Sequence, residues 1–248
     1  MPTNRRAELQ LRGRAGTLQG RVYWPGPSAA RPARLLVFWT VADNSTWCQE
    51  LSASAGLVVL SVTCGRPRSA GLHDAVAATD WAAENTARLG ADPLHLLVGG
   101  MGPTGTLAAA VAVHARAEGW PAFTRQVLVC AGPVEPAPPS LGGVAPATAV
   151  TVEHDPAGDE GRYAARLRRA GVAVDELRYA APGPAAAVRI RNGRRLLADL
   201  STALSTHPGG SPRPHTKPAA MHRHNRTPGL GHDNDATGGG SKERQVAP

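Results

Sequence analysis

Apolar residues in this chain fall into two rhythms that alternate along its length. Leu35-Leu36-Val37-Phe38-Trp39, Leu57–Val62, Leu94–Val98, Gln126–Ala131 and Thr148–Val152 are short runs, apolar almost throughout, as strands buried on both faces of a parallel sheet require. Between them, apolar residues recur three or four positions apart, predicting helices over Trp47–Ala55, 73–88, 104–117, 160–170 and 192–204. Ser45 stands where the first of these helices needs an N-cap. Leu9–Arg12 and Leu18–Trp24 flank Gly13 and Gly16 as a hairpin, and Val172–Tyr179 is a late strand. Loops are expected over the Pro-rich stretches Pro25–Pro32 and Gly132–Ala147, and at Ala181-Pro182-Gly183-Pro184. Strands alternating with helices at this spacing predict a mostly parallel α/β sheet, helices on both faces, an antiparallel start and right-handed crossovers.

One junction in this pattern concentrates glycine. After Leu94–Val98 come Gly99, Gly100, Gly102 and Gly105, and the helical rhythm takes over at Thr104. A glycine turn between a buried strand and a helix is where α/β proteins commonly place chemistry, because the first amides of the helix point at whatever sits there. Gly100-Met101-Gly102-Pro103-Thr104-Gly105 fits the GxGxxG of a dinucleotide loop. It also has the strand-turn-helix setting of a GxSxG nucleophile elbow, with no serine in it. Against the dinucleotide reading, the next strand ends in Cys130-Ala131-Gly132 and offers no carboxylate to hold a ribose. A weaker anion site remains open at Gly100, Gly102, Thr104 and Gly105, with Pro103 removing one donor. Its expected ligand is a small anion.

Composition narrows the partners. The chain has 248 residues, 42% of them hydrophobic, enough for one core of α/β size. Its net charge is +8, but the arginines are dispersed and aromatics make up only 4%, which weighs against nucleic acid. Cys48, Cys64 and Cys130 lie in apolar segments without a CxxC spacing, as buried reduced thiols would. No apolar run is long enough to span a bilayer, and the first residues lack the apolar stretch of a signal peptide. The expectation is a soluble cytoplasmic protein that does not engage membranes. From Thr206 the sequence turns to Pro, Gly, His, Thr and Asn, predicting a folded domain over 1–205 and a disordered tail over 206–248. The tail's five histidines, from His207 to His232, have no fixed geometry, so no metal is assigned to them and no organic cofactor is implied.

Several segments together resemble a known family: GLVVLSV at 56–62, HDAVAATDWAAENTARLGADPLHLLVGG at 73–100, TLAAAVAVHARAEG at 106–119, QVLVCAGP at 126–133 and VTVEHDPAGDEGRYAARLRRAGVAVDELRY at 150–179. They resemble the bacterial hormone-sensitive-lipase-like branch (fold-3) of the α/β-hydrolases, from about Gly16 to Leu204. The resemblance implies carboxylesterases and lipases with a Ser-Asp-His triad in that chain order. The family's GDSAGG elbow falls on Gly100–Gly105, which puts the nucleophile's position at Gly102. No serine occurs from Gly71 to Pro139, and Thr104 is the nearest hydroxyl in sequence, already in the helix. The triad acid falls on Asp155, in Asp155-Pro156-Ala157-Gly158-Asp159-Glu160-Gly161, where an ordinary turn role competes with the catalytic one. The histidine's turn falls on Ala181–Ala186, with proline or alanine at its position, represented by Pro184. His154 precedes the acid and fits no triad order. The oxyanion motif HGGG is replaced by Thr40-Val41-Ala42-Asp43-Asn44, and the caps that family members carry look missing. The resemblance therefore implies a degenerate, cap-less hydrolase fold whose ester chemistry is gone. A surviving esterase with an unrecognised nucleophile, or a nucleotide- or anion-binding module, are the competing readings.

Overall fold

The computed structural model describes residues 5–13, 16–26, 33–64, 70–135, 137–155 and 161–206. The predicted tail, apart from Thr206, lies outside the described residues, as do Pro156–Glu160 of the acid turn. The elements run β1 (Arg6–Arg12), β2 (Thr17–Tyr23), β3 (Ala33–Thr40), α1 (Ser45–Ala55), β4 (Val58–Thr63), α2 (Ala70–Glu84), β5 (Ala91–Met101), α3 (Pro103–Glu118), β6 (Phe123–Val129), β7 (Ala147–Val152), α4 (Arg162–Arg169), β8 (Val174–Tyr179), α5 (Pro184–Arg191) and α6 (Arg194–Thr206). They form one eight-stranded sheet in the order β1-β2-β4-β3-β5-β6-β7-β8. β1 with β2 and β2 with β4 are antiparallel, and every later pairing is parallel.

Alternation along β3 shows how the sheet builds two cores. Leu35, Val37 and Trp39 face one layer, with Ala78 of α2, Val111 of α3 and Leu167 of α4. Leu36 and Phe38 face the other, with Leu51 of α1, Ala187 of α5 and Leu200 of α6. Both faces of the strand are covered, so the period-2 pattern that one solvated face would impose is absent and the sequence reads as an unbroken apolar run.

Local departures from the expected elements have local causes. Ser45 is the first residue of α1 and does not cap it; its N–H goes to Asp43 Oδ1 at 2.8 Å. α2 stops at Glu84, and residues 85–90 turn back through backbone bonds such as Gly90 N–H to the Ala87 carbonyl. α5 begins at the last residue of the expected Ala181–Pro184 loop and occupies a stretch for which no element was expected, and the final helix starts at Arg194. Pro184 is α5's first residue, after Gly183 at the N-cap, a position where proline is tolerated because its missing N–H would have no helical partner. Among its described residues, the link from Cys130 to Pro146 contains no helix.

Candidate functional site

The turn between β5 and α3 lies at the C-terminal edge of the sheet, beside the ends of β3 and β6: Gly100 registers with Trp39 and Met101 with Val129. In open α/β sheets, ligands gather at this edge. Gly102 has φ 59° and ψ −126°, a conformation that a residue with a side chain adopts only under strain. A sharp, strained strand-to-helix turn is what exposes the nucleophile in an elbow, and here the turn is formed with no side chain on it. Its N–H donates to the Val129 carbonyl at 2.7 Å, and its carbonyl accepts from Thr106 N–H at 3.2 Å. At Gly100 a methyl group would come within 2.3 Å of the Thr104 carbonyl oxygen, so only glycine allows the chain to turn this tightly.

Thr104, the nearest hydroxyl in sequence, is 1% exposed and fully engaged. Its Oγ1 donates to the Trp39 carbonyl at 2.7 Å, has the Met101 carbonyl at 2.9 Å, and accepts the Met101 N–H at 3.1 Å. These bonds tie the turn to the end of β3. They leave this hydroxyl neither a base nor a path to an incoming carbonyl carbon. The anion site expected at Gly100, Gly102, Thr104 and Gly105 thus meets a filled turn: the space over Gly100 holds the Thr104 carbonyl, and Gly105 is packed against Ala131.

Asp155, the residue after β7 that the resemblance assigns to the triad acid, is buried, with its side chain 1% exposed. Its Oδ1 accepts from Arg191 NH1 at 2.6 Å, from the last residue of α5. A guanidinium thus takes up the carboxylate that a triad would aim at imidazole, and it has no proton to exchange near neutral pH. Pro184, at the histidine's position, has no titratable side chain. His154, in a left-handed conformation at φ 58°, donates from Nδ1 to the Ala181 carbonyl at 3.0 Å, so it docks on the loop where that histidine would stand. Cys130, at the end of β6, is buried; burial first, then the Asp155 charge, pushes its thiol up to about 12, so it remains protonated. Sequence reasoning missed the role of Arg191, because nothing local marks a partner 36 residues away from the acid.

The residues replacing the oxyanion motif have their own bonding. The Thr40 carbonyl accepts from Cys64 N–H at 3.0 Å. Asp43 takes Ser45 N–H and Ser45 Oγ on one oxygen and Arg21 NH1 at 2.9 Å on the other. Hydrogen bonds from Ser45 first, then Arg21, hold its carboxyl down at about 2. If the oxyanion loop stands here, as the resemblance implies, a carboxylate in this place would oppose a developing oxyanion instead of stabilising one.

Comparison with known proteins agrees with the fold. A family model described as the α/β hydrolase fold matches residues 36–138. The carboxylic ester hydrolase LipN of Mycobacterium tuberculosis is 33% identical over 233 residues, covering 69% of this chain and 61% of LipN. The chain belongs to the α/β-hydrolases. Within them it stands in the hormone-sensitive-lipase-like branch. Esterase LipI of the same organism is 34% identical over 140 residues, 51% of this chain and 44% of LipI. The chain thus spans roughly half the length of these two curated relatives. Among solved structures, an esterase from Pyrobaculum calidifontis superposes with a TM-score of 0.72 at 23% identity, covering 83% of this chain and 86% of that one. At that identity the likeness speaks for the fold. Among the described residues, no helix is long and apolar enough to cross a membrane, and no three His, Cys, Asp or Glu side chains gather as a metal site would require.

Proposed function

We propose that this chain is a pseudohydrolase: a cytoplasmic esterase-type scaffold that no longer hydrolyses esters and persists as a binding module. The observation that carries the reading is Gly102, which has the backbone of an elbow and no hydroxyl on it. Three further features support it independently: Thr104 Oγ1 is consumed by backbone groups, Asp155 is paired with Arg191, and Asp43 occupies the oxyanion loop. Loss of either the serine or the histidine costs a serine hydrolase roughly six orders of magnitude in kcat.

The competing reading, an ester hydrolase with an unrecognised nucleophile, draws on the names of the relatives, one an esterase and one a carboxylic ester hydrolase. Fluorophosphonate labelling of the purified chain, with p-nitrophenyl butyrate turnover alongside, separates the two. The expected result is no labelled residue and no turnover above a heat-denatured control. A labelled peptide, together with turnover that Asp155→Ala abolishes, overturns the pseudohydrolase. Gly102→Ser is expected to leave turnover at background, because the restored hydroxyl has no imidazole to take its proton. Turnover gained by that single change would show that a base is present after all.

A further inference from the structure

Among the described residues the sheet is open at both ends, since β1 and β8 each have a neighbour on one side only. An open edge is a row of unpaired backbone donors and acceptors, and natural sheets blunt it with proline, a bulge or a very short strand. β1 has none of these. Its seven residues include no proline, and each of them from Arg6 to Arg12 pairs with β2 in one unbroken register. The bonds that continue this ladder at its two ends fix which backbone groups it uses: Trp24 N–H donates to the Arg5 carbonyl at 3.0 Å, and Gly13 N–H to the Gly16 carbonyl at 2.7 Å. The odd-numbered residues of β1 therefore bond to β2. Arg6, Glu8, Gln10 and Arg12 direct their N–H and C=O groups outward.

The side chains at these outward positions are exposed, and their charges are complementary to themselves. Two copies of β1 can pair antiparallel about a two-fold axis, and the charges separate the registers. An axis at Leu9 sets Arg6 against the partner's Arg12, and an axis at Glu8 sets the two carboxylates together. An axis at Ala7 or Leu11 pairs only residues 6–8 or 10–12. With the axis at Gln10, Glu8 stands opposite the partner's Arg12 and Arg12 opposite the partner's Glu8, both as hydrogen-bonded pairs. On the other face Leu9 then meets the partner's Leu11, covering a leucine that its own chain leaves half-buried against the core. Both charges are available for this. Glu8 is 79% exposed at its side chain and engages only Oε1, with Arg21 at 3.2 Å, and Arg12 has no carboxylate partner among the described residues. At the opposite edge of the sheet, by contrast, Glu176 of β8 is already held by Arg168 and Arg178 of its own chain.

We infer that β1 is a dimerisation edge: a second copy of this chain adds its own β1 antiparallel, centred on Gln10, and joins the two sheets into one. Such an interface is isologous, so the same patch serves both copies. It uses none of the triad positions and goes beyond the reading of the chain as a pseudohydrolase. Ester turnover on the same samples bears on that reading alone.

The test is sedimentation equilibrium of the full-length chain and four variants. The expected result is a concentration-dependent dimer. Glu8→Arg and Arg12→Glu should each weaken it about tenfold or more, because like charges then face each other across the axis. Glu8→Arg combined with Arg12→Glu should restore it, a recovery that no loss of fold in the single variants would produce. Gln10→Pro removes an outward N–H at the axis and spares every bond to β2, so it should give a folded monomer by circular dichroism. A monomer at every concentration, a dimer that survives Gln10→Pro, or a charge swap that fails to restore association overturns the inference. The fourth variant, Arg178→Pro, blocks the β8 edge, where Tyr179 and Ala173 carbonyls bond to β7 and Arg178 points outward. A dimer lost in Arg178→Pro and kept in Gln10→Pro assigns the interface to β8 and overturns it as well.

Discussion

Two corners of the sheet edge, Gly102 and Asp155, hold the positions that the family resemblance assigns to a triad, and they differ from that pattern in opposite ways. At the β5–α3 turn the geometry is intact and the chemical group is absent: Gly102 keeps the strained backbone, Gly100 keeps the tight crossing and Thr104 pins both to β3. At the end of β7 the chemical group is present and its partner has changed: Asp155 remains buried and ionisable, held by Arg191 of α5. The difference lies in what each corner contributes to folding. The turn is held by backbone packing and hydrogen bonds that are indifferent to a hydroxyl at Gly102. A carboxylate only 1% exposed cannot be left without compensation, so where no imidazole stands a cation must take its place or the acid must go.

The largest expected effect tests the second corner. Arg191→Ala removes the guanidinium from a buried carboxylate and should destabilise the fold by about 3–5 kcal/mol. Asp155→Asn combined with Arg191→Met should recover most of that loss, because a neutral pair of similar volume leaves no buried charge. Urea denaturation of Arg191→Ala, the double variant and its two single components measures both. Additive single losses, with no recovery in the double variant, would show that the two side chains are not coupled and that Asp155 is held by other groups of its turn.

At the first corner the expected loss is steric. A methyl group at Gly100 lies 2.3 Å from a backbone oxygen, which no rotamer change relieves. Gly100→Ala should therefore cost about 3 kcal/mol or more, at the upper end of overpacking. Thermal unfolding followed by circular dichroism reads it. If the variant melts within a degree of the parent chain, the turn is not held by packing, and the contrast between the corners dissolves.

How much of each corner the sequence discloses follows from the same distinction. The elbow is legible because its requirements are local: an apolar run, glycines at fixed offsets and a helical rhythm, all within a few residues of Gly102. Strands such as Leu35–Trp39 are legible for a related reason, since burial on both faces writes an unbroken apolar run. The Asp155–Arg191 pair is illegible, because an arginine at the end of a helix looks like any solvated cation until the fold brings it back. α5 itself was hidden in a short segment where Ala181-Pro182-Gly183-Pro184 reads as a turn; the one available signal was glycine followed by proline at a helix start. At the replaced oxyanion loop, the missing glycines are plain in the sequence, but the Arg21 that holds Asp43 comes from β2, 22 residues away.

That loop supplies the smallest expected effect and a pH window to go with it. Asp43 is exposed, yet its carboxyl sits at about 2, below the usual value near 4, because the folded state bonds its charged form through Ser45 and Arg21. A carboxylate depressed on folding adds stability above its unfolded pKa and loses it as the pH falls through the folded one. Asp43→Asn should thus lower Tm slightly at pH 7, and the gap between variant and parent should narrow as the pH falls from about 4 towards about 2. Salt should narrow it too, since exposed charges are screened at ordinary ionic strength. Paired melts across that range decide the matter. A gap that persists unchanged at pH 2 would mean that Asp43 supports the loop through its shape, and the contrast between charge-held and packing-held corners would then not extend to the oxyanion loop.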